Sequence, residues 1–210
     1  EARREEAQTL YQVATWWLMA ASLPIFITLA LFPGFLLGVF GEEFQTGDTA
    51  LLILSLAMMV NVSTGNVNAV LVMGGKGLWN LLNSSAALAL NVLLNLLLIP
   101  TFGLEGAAIA WAVSIVVPNL AAVLQVRWFL GLRPFGEGFV TVIVASGLCF
   151  GGVGFGVLAL AGSSPTGFVL YAILSTALYG LILFRNRRRI HLPLLREALS
   201  LSRRPVAGTV

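Results

Sequence analysis

The chain has 210 residues, of which 58% are hydrophobic and only 10% charged, with a mean hydropathy of +0.93. Soluble domains carry about 25% charge, so this composition excludes an ordinary globular protein and points to an integral membrane protein. The net charge is +3, but its distribution along the chain is more informative than its sum.

The first residues, EARREEAQ, are charged and lack a signal-peptide pattern, and the chain does not begin with Met. They read as a cytoplasmic linker, residues 1–12, within a longer protein. A membrane crossing needs about 20 apolar residues, and six runs qualify: 13–32, 50–73, 78–99, 106–126, 139–161 and 167–184. The connections between them are short, which makes successive helices antiparallel neighbours. The expected fold is therefore all-α, a multispan transmembrane bundle of six helices.

The first span carries Pro24 near its centre and Pro33-Gly34 near its far end. Proline removes a backbone donor and clashes with the carbonyl four residues back, so kinks are expected there. The FLLGVF segment that follows Pro33-Gly34 either continues the helix or lies along the interface. The second span presents Asn61, Thr64, Gly65 and Asn68 on one face, with Ser63 and Asn66 turned away.

The third span carries a polar stripe. At about 100° per residue, Asn80, Ser84, Asn91 and Asn95 fall within roughly a 60° arc, with Asn83 beside it. Lipid offers an amide no partner, so the stripe must face other helices or a wet cavity. The fourth span follows Gly103 and opens on Gly106, Ala110 and Ser114 at intervals of four. Such spacing lets helix backbones approach closely. Pro118 disturbs the same helix.

The fifth span is glycine-rich (Gly147, Gly151, Gly152, Gly154, Gly156) and reads as a second close-packing surface. Its GGVGFG string lacks the strand–turn–helix setting of a nucleotide loop. It also holds the single Cys149, which cannot form an internal disulfide and reads as packing. The tail after the sixth span, residues 185–210, is basic and contains the lone His191. It reads as a topology anchor against anionic headgroups.

Charge sets the expected orientation. Six spans bring both ends to one side, and all 12 Lys and Arg residues fall there, while Glu42, Glu43, Asp48 and Glu105 occupy the opposite loops. The positive-inside rule then places both ends in the cytoplasm. Trp16, Trp17, Trp79 and Trp128 fall near that interface, as an aromatic belt would.

The six spans contain no Asp, Glu, Lys, Arg or His. Intramembrane proton relays depend on such residues. No His/Cys/Asp/Glu cluster has metal-ligand spacing, and no nucleophile lies beside a base. The chain reads as no enzyme, without cofactor or metal, and with no nucleic-acid partner. What remains is a set of neutral amides, which donate and accept hydrogen bonds without the cost of a buried charge and so suit sugar hydroxyls.

The run Asn91-Val-Leu-Leu-Asn95-Leu-Leu-Leu-Ile-Pro100-Thr-Phe-Gly103-Leu-Glu-Gly106-Ala-Ala-Ile-Ala110 resembles the signature of oligosaccharide flippases. These are the Wzx-type polysaccharide-export proteins of the MATE-like multidrug/oligosaccharidyl-lipid/polysaccharide superfamily. Leu23-Pro24 with Val39-Phe40-Gly41-Glu-Glu-Phe44, the Gly74-Gly75-Lys76 turn, and the Val126-Arg127-Trp-Phe-Leu-Gly131-Leu-Arg133-Pro134-Phe stretch are similar to other parts of that family. The resemblance covers residues 11–135.

It implies that this chain is the C-terminal part of a two-lobe transporter. Residues 13–128 would supply four helices of the second lobe and residues 129–184 a trailing pair. It also implies alternating access of a polyprenyl-diphosphate-linked oligosaccharide across the cytoplasmic membrane, for surface polysaccharide synthesis. The partners would be that lipid-linked cargo, membrane lipids and the N-terminal half of the same protein. Asn61, Thr64, Asn68, Asn80, Ser84, Asn91 and Asn95 would line the path, and Gly103, Gly106, Ala110 and Ser114 would pack helices. The cationic residues that family members use for the diphosphate have no counterpart in these spans. A drug/cation antiporter and a lipid II flippase are other branches of the superfamily, and a non-transporting scaffold subunit is the alternative of a different class.

Overall fold

A computed structural model describes residues 2–133, 135–162 and 164–185. The basic tail beyond residue 185, with His191, and Pro134 lie outside the described residues. Among those described, every regular element is helical. Five helical stretches are long and apolar enough to cross a membrane.

The first helix, α1, spans Ala2–Leu31 and runs through Pro24 without ending. Pro24 has no N–H to offer the carbonyl of Ala20. The Tyr179 hydroxyl donates to that carbonyl instead, at 2.9 Å. Phe32 leaves helical geometry (φ −122°, ψ 40°), and a separate short helix α2, Pro33–Gly38, follows. The segment after Pro33 therefore does not prolong the first span. A 3₁₀ turn, Glu42–Gly47, leads into α3, Asp48–Ser63.

The second expected span is broken. Helix α3 stops at Ser63, Gly65 takes a left-handed φ of 65°, and α4, Val67–Met73, resumes the path. Only glycine adopts such a φ freely. It also lets α1 approach, since a Cβ on Gly65 would overlap Thr15 Oγ1.

Helix α5, Gly77–Phe129, covers 53 residues. At about 1.5 Å per residue a straight helix of that length would overrun a bilayer core of about 30 Å more than twofold. It does not run straight, because Gly103 takes φ 54° and ψ −126°, outside helical space. Three contacts show that the arms fold back on each other. The rings of Trp79 and Phe129 lie 5.2 Å apart between centroids. Asn83 and Gln125 exchange amide hydrogen bonds of 2.7 and 3.0 Å. Near the turn, a Cβ on Gly106 would overlap the Leu98 carbonyl oxygen. With this hairpin the five stretches leave room for six crossings.

The fifth expected span comprises α6, Glu137–Ser146, a π-helical segment, Gly147–Gly152, and α7, Val153–Ala161. The expectation of a glycine packing surface needs correction here. A Cβ on Gly147, Gly151, Gly152 or Gly156 would meet nothing within 4 Å, whereas one on Gly154 would press on Leu31 and Tyr171. The wider π turn shifts the side-chain register, so glycines spaced for one α-helical face do not share it. The last helix, α8, spans Pro165–Arg185.

Helix α1 is the shared wall of the bundle. Its Trp16, Met19, Ala20 and Leu23 are buried with Val62 of α3 and Val142 of α6. Tyr11 is buried with Val67 and Leu71 of α4 and Ala122 and Val126 of α5. Farther along, Phe32 meets Ala145, Cys149, Phe150, Tyr171 and Tyr179 from α6–α8. Of the tryptophans expected in an aromatic belt, Trp79 and Trp128 are exposed, whereas Trp16 is buried and donates to the Gly138 carbonyl at 3.0 Å.

The two ends differ in charge. Gln8 pairs with the backbone of Arg133 through bonds of 2.6 and 2.9 Å, and Lys76 sits 5.2 Å over the Phe129 ring. Those contacts gather Lys76, Arg127 and Arg133 at one end. At the other, Gly47 faces Leu104 and Leu37, so the Glu42–Asp48 turn meets the Gly103 turn with Glu105.

Candidate functional site

The break between α3 and α4 organises the polar residues. Asn61 lies on the last turn of α3 and Asn68 on the first turn of α4. Asn119, on the returning arm of α5, joins them across the break. Its Nδ2 donates to Asn61 Oδ1 at 2.6 Å, and its Oδ1 accepts from Asn68 Nδ2 at 3.2 Å. Asn119 directly follows Pro118, and only 9% of it is exposed. The three amides thus form a chain that spans the break.

Each side-chain amide has two N–H donors and a carbonyl with two lone pairs. The chain uses only part of that capacity. Asn61 Nδ2 has just a weak contact of 3.7 Å to Met58 Sδ. Asn68 and its neighbour Asn66 are exposed. Spare donors and acceptors therefore face two adjoining clefts that share all three asparagines. One, of about 560 Å³, lies between α1 and the broken helix and is also lined by Leu18, Ser22, Phe26 and Asn66. The other, of about 270 Å³, lies in the α5 hairpin beside Asn83, Ser84, Ser114 and Pro118. A third cleft of about 420 Å³, on the other side of α3, is almost wholly apolar.

The backbone at the break is satisfied from outside. The Tyr11 hydroxyl donates to the Thr64 carbonyl at 2.8 Å, and Thr15 Oγ1 returns to the Tyr11 carbonyl at 2.7 Å. Thr64 Oγ1 turns back to the Asn61 carbonyl at 2.6 Å.

Of the seven residues expected to line a path, Asn61, Asn68 and Ser84 border the polar clefts. Thr64 does not. It is buried and borders the apolar cleft, while Asn66, expected to turn away, lines the larger polar one. Both shifts follow from the break, which rotates the backbone after Ser63 so that one helical wheel no longer applies. Asn91 and Asn95 satisfy each other within one turn: Asn95 Nδ2 donates to the Asn91 carbonyl at 2.9 Å and to Asn91 Oδ1 at 3.0 Å. Asn80 is farther toward the basic end, and its Oδ1 is buried with no partner among the described residues. Gly103 makes the turn, Gly106, Ala110 and Ser114 are buried, and Ser114 Oγ donates to the Ala110 carbonyl at 2.6 Å.

Asn119 and Gln125 belong to the network and were not singled out from the sequence. The signal existed, since both are polar residues within an apolar span. Among the described residues no group of three His, Cys, Asp or Glu could hold a metal ion. The chain matches no protein-family model, no curated protein and no solved structure.

Proposed function

We propose that the chain is the C-terminal part of a flippase that moves a polyprenyl-diphosphate-linked oligosaccharide across the cytoplasmic membrane by alternating access. The observation that carries this reading is the Asn61–Asn119–Asn68 amide chain, placed at the break between α3 and α4 and open to two polar clefts. Discontinuous helices that expose polar groups at mid-depth are a recurring way to build a transport site. Uncharged amides fit sugar hydroxyls, which need donors and acceptors but no counter-ion. The basic end, with Lys76, Arg127 and Arg133, would face the cytoplasm. The diphosphate would be met by the remainder of the protein, because these spans hold no cation.

The test is the leaflet location of polyprenyl-linked glycan in cells lacking the full-length gene. The glycan is expected to accumulate facing the cytoplasm, with loss of surface polysaccharide. The intact gene should restore export and an Asn61→Leu/Asn119→Leu variant present at equal level in the membrane should not. A normal glycan distribution with new sensitivity to cationic drugs would overturn the reading in favour of an antiporter.

A further inference from the structure

We propose that α4 is a hinged gate over the basic end of the amide clefts, held shut in this structure by an asparagine latch. The segment has the geometry of a movable flap. It is only seven residues, Val67–Met73, and left-handed glycines bracket it, Gly65 at φ 65° and Gly75 at φ 73°. The α-helical hydrogen-bond ladder lapses between Thr64 and Asn66, so the rotation of α4 is not transmitted to α3 through a continuous helix. Hinges are short stretches that absorb a change of φ and ψ in this way.

The two sides of the break are held differently. On the α3 side, the Tyr11 hydroxyl fixes the Thr64 carbonyl to α1 at 2.8 Å, and Asn61 receives the short 2.6 Å bond from Asn119. On the α4 side, Asn68 bonds across to Asn119 of α5 at the longer distance of 3.2 Å. Otherwise α4 is held by apolar contact, with Val67 and Leu71 buried against Ala122 and Val126. Asn119 therefore joins a fixed edge to a movable one. Rotation about the two glycines would part Asn68 from Asn119, uncover Ala122 and open the clefts toward the basic end. The inference concerns movement only and holds whatever the clefts carry.

The experiment uses the full-length protein in membranes with Ala122→Cys, a position 0% exposed with the gate shut. Native Cys149, also 0% exposed but packed among α1, α6 and α8, is the internal control. A membrane-impermeant thiol reagent is added and labelling at each site is followed by peptide mass spectrometry. Adding Asn68→Ala should speed labelling at position 122 by about 2- to 12-fold, the population change that loss of one ordinary hydrogen bond brings. Cys149 should stay unlabelled. Equal rates at position 122 with and without Asn68→Ala would overturn the gate, as would labelling of Cys149 in step with it, which marks general loosening. In a second measurement, Gly74→Cys and Leu130→Cys are cross-linked by oxidation, since a Cβ on Gly74 already reaches Leu130. The cross-link should form readily in the parent and more slowly with Asn68→Ala, and an unchanged rate would count against the latch.

Discussion

The Tyr179 hydroxyl of α8 donates, at 2.9 Å, to the one carbonyl of α1 that Pro24 leaves without its helical partner, that of Ala20. The same hydroxyl accepts from Ser146 Oγ of α6 at 3.3 Å. The backbone gap that Pro24 leaves in the first helix is thus filled by the last, and α6 is drawn into the same junction.

Replacing Tyr179 with Phe keeps the ring packed on Phe150 but orphans the Ala20 carbonyl. An unsatisfied buried acceptor costs about 1–3 kcal/mol. At about 2–4 °C per kcal/mol for a chain of this size, thermal unfolding in detergent should shift down by several degrees. An unchanged midpoint would mean that water reaches the Ala20 carbonyl.

Asn83 and Gln125 exchange two amide bonds across the α5 hairpin. Asn83→Leu or Gln125→Leu alone should each destabilise by about 1–3 kcal/mol, because the half-buried partner amide loses both of its bonds. The double replacement should cost less than the sum, and a double-mutant cycle on thermal stability checks the coupling. Additive losses would show that the two amides do not depend on each other.

Gly106 sits where the arms of α5 approach each other closely near the turn. Gly106→Val would push the backbone of Leu98 away and open the hairpin. We expect a sharp fall in folded, monodisperse protein on size exclusion, whereas Gly156→Val, where space is open, should be tolerated.

If the amide chain is the transport site, Asn119→Leu should lower export of surface polysaccharide about tenfold or more, a change of at least ~1.4 kcal/mol. Asn91→Leu with Asn95→Leu should lower it less, since these two residues bond mainly to each other. Export assays at matched membrane levels decide this. A larger effect from the Asn91/Asn95 pair would move the site along the third span.

The all-helical character, the stretches long and apolar enough to cross a membrane and the separation of basic from acidic ends could all be read from sequence alone. Each depends on local quantities: hydropathy over a window of about 20 residues, the missing N–H of Pro24, and the signs of loop charges. The polar residues of the second and third spans were legible for the same reason, because an amide in an apolar run is conspicuous wherever it points.

Which amides meet was decided by tertiary structure. Asn61 and Asn119 are 58 positions apart, and Asn68 and Asn119 are 51 apart, so no periodicity links them. The break at Gly65 was hidden because apolar residues continue on both sides and glycine is common within membrane helices. Once the helix broke, Asn66 and Thr64 exchanged the surroundings that a single helical wheel assigns them. The π turn likewise undid a face that regular spacing implied in the fifth span. Composition and spacing determine what a segment is. Partners are chosen by the packing of distant backbones, here by the close approach of α1 at Gly65 and of the two α5 arms at Gly106.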